Sequence, residues 1–355
     1  MHHVDGSAAP VPIIGTRRRR KHCAHSRSRS TGISRHRRST RSRGRLTSTT
    51  VNTAQPRDSV KPGLIVVDKP QGITSHGVVS RMRRICGTRK VGHGGTLDPM
   101  ATGVLIVAVG KATKLLTYVS GLDKSYAATV RLGQATVTDD AEGEVTASAD
   151  ASAVAEAAIR EGLAAMTGEI DQVPSAVSAV KVDGQRAYKR VRDGETVELK
   201  ARRVTIAAIE VGEIRREGAF VDVDIEVSCS SGTYIRAIAR DLGNALGVGG
   251  HLTALRRTRI GGFGLDAAAT LEVLGERSEA GEPLGALPMG EAAARLMPIR
   301  TATEAEAKAL SYGKALEAVG IAGRYAVLDG DGELLAVMME KGDQAKPETV
   351  FAAAS

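Results

Sequence analysis

Eighteen residues, GHGGTLDPMATGVLIVAV (Gly92–Val109), constrain the fold more than any other stretch of the 355-residue chain. They end in an unbroken apolar run, Val104–Val109, four of whose six residues are Val or Ile. So short and so β-branched a run suits a strand covered on both faces. The lead-in holds four glycines and one carboxylate, Asp98, followed by Pro99. Proline fixes its own φ and disfavours helix at the preceding residue, which presses Asp98 towards extended backbone at the mouth of the strand. Gly94 and Gly95 are expected to let another backbone or a ligand approach closely. An Asp-Pro turn by itself is ordinary chain reversal. A carboxylate held in such a place also serves as a nucleophile if an arginine keeps it ionised.

Around this stretch, strands and helices mix without a regular βαβ repeat, which favours α+β over a doubly wound sheet. Leu64–Pro70 reads as a short buried strand. A helix follows, with Thr74 or Ser75 as N-cap, an apolar stripe of Val78, Val79, Met82 and Ile85, and Gly87 as its stop. Residues 111–119 form a short helix, Ser125–Gly133 a strand, and 153–166 an alanine-rich helix ending before Gly168. SAVSAVKVDG reads as a strand and an Asp-Gly turn. FVDVDIEVSCS alternates Val221, Val223, Ile225 and Val227 against acids, as a half-exposed antiparallel strand does. Thr233 is expected to cap a helix running to Gly247. Residues 281–298 look like linker and short helix, and RYAVLDGDGELLAVM like a hairpin turning at Asp329. A small β-rich terminal module is expected from about residue 298. Without Trp and with only three Phe, the core must come from Val, Ile, Leu and Ala.

The net charge of +9 is unevenly spread. Residues 1–60 hold thirteen Arg and one Lys against Asp5 and Asp58, a net of +12 that leaves −3 for the rest. Their Arg/Ser low complexity is expected to be disordered: an electrostatic nucleic-acid arm, a transit-peptide-like leader or a dispensable extension. Familiar cofactor signatures fail. Gly103 and Gly110-Lys111 have the wrong spacing for a P-loop, and Ala112 stands where Mg²⁺ would need Ser or Thr. GVGGHL is not GxGxxG. Only His76, His93 and His251 lie outside the tail, with no Cys/His quartet, so zinc is not expected. There is no GxSxG elbow. Cys23, Cys86 and Cys229 lack CxxC spacing and suit reduced thiols in a cytoplasm. No apolar run reaches the roughly 18 residues of a membrane span.

GHGGTLDPMATGVL closely resembles the catalytic motif of the pseudouridine synthases, in the TruB branch. The resemblance extends in order over residues 62–300: GLIVVDKPQGITSH, KSYAATVRLG, QVPSAVSAVKVDGQRAYKRVR, CSSGTYIRAIARDLG and GGHLTALRRTRIGGF each resemble a family block. It implies a mixed, largely antiparallel pseudouridine-synthase sheet with flanking helices at 61–297, and a small PUA-like RNA-binding module at 298–355. It further implies isomerisation of uridine 55 in the tRNA T-loop by base flipping, glycosidic cleavage and carbon–carbon re-attachment, with no cofactor and no metal. Asp98 would be the nucleophile, attacking ribose or base. Arg236 would be its salt-bridge partner and Tyr126 the ring on which uracil stacks. Leu255 would wall the pocket, with Tyr234 beside it, Gly95 in its turn, and Lys69 and Pro70 shaping its floor. His93 resembles the residue that enters the T-loop where the base has left. Lys181, Arg186, Arg256 and Arg257 are expected, with Lys69, to supply positive charge to the RNA groove. The implied partner is the T-arm of tRNA, met by a cytoplasmic monomer with no obligatory protein partner. Two other readings share parts of this pattern: a guide-RNA-dependent synthase of the dyskerin type, and a non-catalytic tRNA-folding chaperone. Val177 stands where many relatives carry Tyr, and Val137 interrupts an acidic run, ATVTDDAEGE. Both departures are expected to touch groove detail rather than the catalytic set.

Overall fold

The two most apolar runs become neighbouring strands. In the computed structural model β1 (Gly63–Lys69), β2 (Val91–Gly94) and β3 (Thr102–Val109) pair antiparallel, and Gly103–Val109 are all buried. The structure describes residues 60–175 and 199–352, with the backbone of 181–182 and 185–186. The basic extension up to Ser59, Val177, and the side chains of Lys181 and Arg186 lie outside the described residues.

The chain continues through β4 (Lys124–Leu132), β5 (Gln134–Thr136), β6 (Val145–Ser148), β7 (Gly168–Gln172), β8 (Lys181–Val182), β9 (Gln185–Arg186), β10 (Arg202–Glu217), β11 (Phe220–Cys229) and β12 (Gly250–Ile260). Short strands β13 (Phe263–Gly264), β14 (Ala269–Thr270) and β15 (Leu287–Pro288) follow. The main sheet runs β14-β1-β3-β12-β4-β11-β10-β7. Its pairings are antiparallel except β1 with β14 and β3 with β12, so the fold is the expected α+β. The alternation in FVDVDIEVSCS is realised: Val221, Val223, Ile225 and Val227 are buried, with antiparallel partners on both sides of β11.

β3 is apolar throughout because both its faces are covered. Val104, Ile106 and Ala108 meet α2 (Leu116–Ser120), and Leu105, Val107 and Val109 meet α1 (Ser75–Ile85). Thr74 caps α1 through Gly77 N, as expected, and Gly87 leaves it with φ +62°. A second core lies under α3 (Glu156–Ala164) and α4 (Ile235–Ala245), which cover β4 and β11. At roughly 1.5–3 kcal/mol for each large aliphatic side chain withdrawn from water, these layers dominate the stability of the sheet.

Beyond α5 (Leu271–Ala280) and α6 (Met289–Ala294), the chain forms a second sheet. Its strands are β16 (Ile299–Thr301), β17 (Leu316–Glu317), β18 (Arg324–Leu328), β19 (Leu334–Lys341) and β20 (Gln344–Val350), in the order β16-β18-β19-β20-β17. Helix α7 (Glu304–Ser311) begins with a capping box between Thr303 and Glu306. Ala326, Leu334, Val337 and Phe351 join Ala292 and Ala293 of α6 in the core beneath β3. Among the described residues, no helix is long and apolar enough to cross a membrane.

Candidate active site

Asp98 sits in the loop from β2 to β3, and that loop is fastened on every side. Leu97 is buried, and its N–H donates to Ser75 Oγ (2.9 Å) while Ser75 Oγ donates to its carbonyl (3.0 Å). Pro99 O accepts from Gly72 N (2.8 Å) and from Lys69 Nζ (3.2 Å). Arg257, 1% exposed, donates to the carbonyls of Gly95 (3.0 Å), Thr96 (3.3 Å) and Val104 (2.8 Å). Gly95 supplies a turn at φ +82°, whereas the close backbone approach is at Gly103. There φ is +97°, and a Cβ would lie 2.2 Å from Arg257 O across the β3–β12 pairing.

Arg236 reaches the loop from α4. Its Nε lies 3.0 Å from Asp98 Oδ2, and its Nη1 lies 3.3 Å from Asp140 Oδ2 and donates to Thr138 O (2.7 Å). The arginine is 5% exposed and Asp98 39%, so a buried cation presents an accessible carboxylate. Thr233 does not cap α4, since its hydroxyl donates to Ser230 O instead. The peptide of Tyr234 is clamped from β7: its N–H donates to Gln172 Oε1 (2.8 Å) and its carbonyl accepts from Gln172 Nε2 (3.1 Å). The acidic run that Val137 interrupts holds this helix too. Asp140 meets Arg236, and Asp139, at φ +59°, meets Arg240 (3.3 Å).

A cavity of about 220 Å³ opens over Asp98 and is lined by Tyr126, Tyr234, Arg236, Leu255, Arg257 and Lys124, among others. It is smaller than the roughly 300–1,000 Å³ of a drug-sized pocket, a size suited to one small ring. Tyr126, 8% exposed on β4, sits opposite Arg257 of β12. Burial raises its phenol pKa, and the Arg257 cation opposes that rise. Leu255, also 8% exposed, lines both this cavity and a broader cleft of about 650 Å³ shared with Arg256, Thr102 and Met100.

The structure therefore brings Asp98, Tyr126, Arg236, Tyr234, Leu255 and Gly95 together as expected. Other expected positions are different. Lys69 and Pro70 do not line the cavity. Lys69 is fully buried, and its ammonium donates to Pro70 O, Ile73 O and Pro99 O, so it braces the loop from beneath. Burial lowers its pKa to about 8. Lys69 and Arg257 are thus not surface cations of a groove. Arg256 is partly exposed but forms a two-point ion pair with Asp68 (2.7 and 3.1 Å). His93, on β2, lies outside the cavity lining, edge-on to His76 at 5.4 Å. Its Nδ1 is buried without a hydrogen-bond partner among the described residues, and burial lowers its pKa.

Three family profiles match the chain in sequence. Residues 83–235 match the N-terminal domain of TruB family pseudouridylate synthase. Residues 236–292 match the tRNA pseudouridylate synthase B C-terminal domain, and 297–352 the tRNA pseudouridine synthase II C-terminal domain. A tRNA pseudouridine synthase B of Arthrobacter sp. (strain FB24) is 58% identical over 301 residues, covering 82% of this chain and 96% of that protein. One of Mycobacterium sp. (strain KMS) is 56% identical, covering 81% and 95%. The chain belongs to the TruB family of pseudouridine synthases. The fold agrees: a solved Cbf5–Nop10–Gar1 complex contains a chain that superimposes with a TM-score of 0.63 at 30% identity, over 82% of this chain and 85% of that one.

As a TruB-family isomerase, the chain carries site residues that motif reading passed over. Gln172, Asp140 and Ser75 lie inside quoted stretches of the sequence, yet they act through other residues on distant elements, and nothing in those stretches points to the contact each one makes. Lys124 was within reach, two residues before Tyr126 in the same block.

Proposed function

We propose that this chain converts uridine 55 of the tRNA T-loop to pseudouridine, with Asp98 as nucleophile. The observation that carries the reading is the Asp98–Arg236 ion pair at the mouth of a cavity sized for one base and walled by Tyr126 and Leu255. A stacked uridine is out of reach of any side chain, so the base must be extruded into this cavity and held against Tyr126. Arg236 holds Asp98 aimed, and Asp140 with Thr138 O keeps Arg236 aimed in turn. Asp98 then attacks the ribose or adds to the base, and the C1′–N1 bond breaks. The ring turns within the cavity, rejoins through C5 and loses the C5 proton. No atom is gained or lost, so no cofactor or metal is needed.

His93 fills the gap left in the loop, and burial lowers its pKa, which favours the neutral imidazole. The terminal five-stranded sheet serves as a PUA-like RNA contact, with domain limits near 61–297 and 298–355. The protein works as a cytoplasmic monomer without guide RNA. Identities of 54–58% to proteins named tRNA pseudouridine synthase B, against 30% to the Cbf5 chain, support that choice.

The test is to map pseudouridine in a T-arm stem-loop incubated with purified protein alone. Asp98→Asn is expected to abolish product while RNA affinity stays within about tenfold, because many phosphate contacts, not one carboxylate, carry binding. Near-normal turnover by the variant would overturn the assignment, as would product at another uridine.

A further inference from the structure

Two cations in the cavity wall, Lys124 and Arg257, have no carboxylate at ion-pair distance among the described residues; the nearest negative charges act on them only from further off, Asp123 on Lys124 and Asp98 on Arg257. Lys124 begins β4 and is 7% exposed; its Nζ donates to Leu122 O (2.6 Å) and Ser120 O (3.3 Å). An ammonium has three N–H bonds, so one stays uncommitted. Arg257 donates to three carbonyls and to the Tyr126 side chain, and it feels the Asp98 charge from a distance. Both side chains border Gly95: a Cβ built there would lie 3.6 Å from Arg257 Nη1 and 3.8 Å from Lys124 Cε, the carbon that carries the ammonium. Both line the cavity with Asp98 and Tyr126. Burial, and after it the Arg257 charge, lowers the pKa of Lys124. Uncompensated buried charge costs stability, and an apolar side chain would serve the fold better. Arg236, by contrast, already faces Asp98 and Asp140.

We propose that Lys124, backed by Arg257, holds the negative charge that develops on the oxygens of the uracil ring during isomerisation. The inference rests on the reading of this cavity as the uridine site. Negative charge reaches the base by either route. If Asp98 attacks C1′, the C1′–N1 bond breaks with its pair on the ring, and the anion is shared by O2 and O4. If Asp98 adds to C6, the displaced pair forms an enolate on O4. The ring is neutral again once C5 has bonded C1′ and lost its proton, N1 has taken one up, and the bond to Asp98 has broken with its pair returned to the carboxylate. A fixed cation at those oxygens acts without reorganisation in a site that excludes water. An RNA phosphate could supply the same kind of anion, and it would be felt in binding rather than in the chemical step.

Single-turnover kinetics on the T-arm stem-loop separate these outcomes, using wild type, Lys124→Met, Lys124→Arg, Lys124→Gln and Asp98→Asn. Lys124→Met is expected to lower the saturating rate about a hundredfold, the usual effect of removing one such donor. Its Kd should stay within about threefold, and its Tm, read alongside, reports the balance between removing a buried charge and leaving two carbonyls without that donor. Lys124→Arg should recover much of the rate. A wild-type rate in Lys124→Met beside an inactive Asp98→Asn overturns the inference and leaves the site reading intact. A weakened Kd with an unchanged saturating rate assigns Lys124 to a phosphate and also overturns it. If Lys124→Met does not fold, the comparison of Gln with Arg decides: equal rates exclude a role for the charge. Turnover in Asp98→Asn would show instead that the site reading itself is at fault.

Discussion

At the residue scale the site is a chain of carboxylates and cations, each holding the next. Arg236 spans Asp98 and Asp140 with a planar fork, which a lysine's point charge cannot reproduce. Arg236→Lys is therefore expected to lose at least about a hundredfold in single-turnover rate while binding RNA normally, as quenched-flow product analysis would show. Asp98 was legible in the sequence because glycines and a proline crowd around it. Asp140 was not, since an acid in an acidic run looks like solvated surface until α4 is packed against it. Lys69 was misplaced for a related reason. A Lys-Pro pair after a strand reads as an exposed groove cation, yet three carbonyls converge to bury it. Its pKa of about 8 has a consequence for stability. Below pH 8 both folded and unfolded chains carry the proton, and the folded state bears the full cost of the buried charge. Between about pH 8 and 10.5 the folded state releases the proton first, so this group makes unfolding free energy rise with pH, by up to roughly 3 kcal/mol. Urea unfolding of wild type and Lys69→Met across that range checks the sign. The wild type should gain on the variant as pH rises.

At the scale of elements, the strands were readable from periodicity and the contacts between them were not. β1, β3, β4 and β11 follow from apolar runs or alternation, because a strand's exposure is written in its own side chains. The long partner β10 has a mixed pattern, and β12 carries arginines on a central strand. Each becomes intelligible only beside its neighbours. The parallel step from β3 to β12 is where the site is made. It sets Arg257 behind the Asp98 loop and Leu255 over the cavity, and it needs Gly103. Gly103→Ala would place a methyl 2.2 Å from Arg257 O in a left-handed conformation. It is expected to destabilise the fold by about 2–4 kcal/mol, through strain and the displaced strand pairing. Chemical denaturation would measure this, and Gly87→Ala, whose Cβ meets nothing within 4 Å, is the control for positive φ alone.

At the scale of the whole molecule, charge is divided between the first 60 residues, at +12, and the remainder, at −3. Removing residues 1–60 is expected to leave the modified uridine and the single-turnover rate unchanged, because every matched family segment lies beyond them. RNA binding should weaken, and log K should fall less steeply with log salt, since fewer counter-ions are displaced. Filter binding across a salt series reads both. By itself the sequence determined the α+β class, the buried strands, the helix α1 with its cap and stop and the terminal hairpin, and its motifs picked out Asp98, Tyr126, Arg236 and Leu255 as candidates that the fold then brings to one cavity. Each depends on local spacing or on an ordered set of motifs. Only the tertiary structure decided which cations face the cavity and which are buried struts, which acids orient Arg236, and what clamps the start of α4. The partners in those contacts are up to 162 residues apart, as Arg257 and Gly95 are. Their pairing is set by strand register and helix packing, and no local pattern in the chain encodes it.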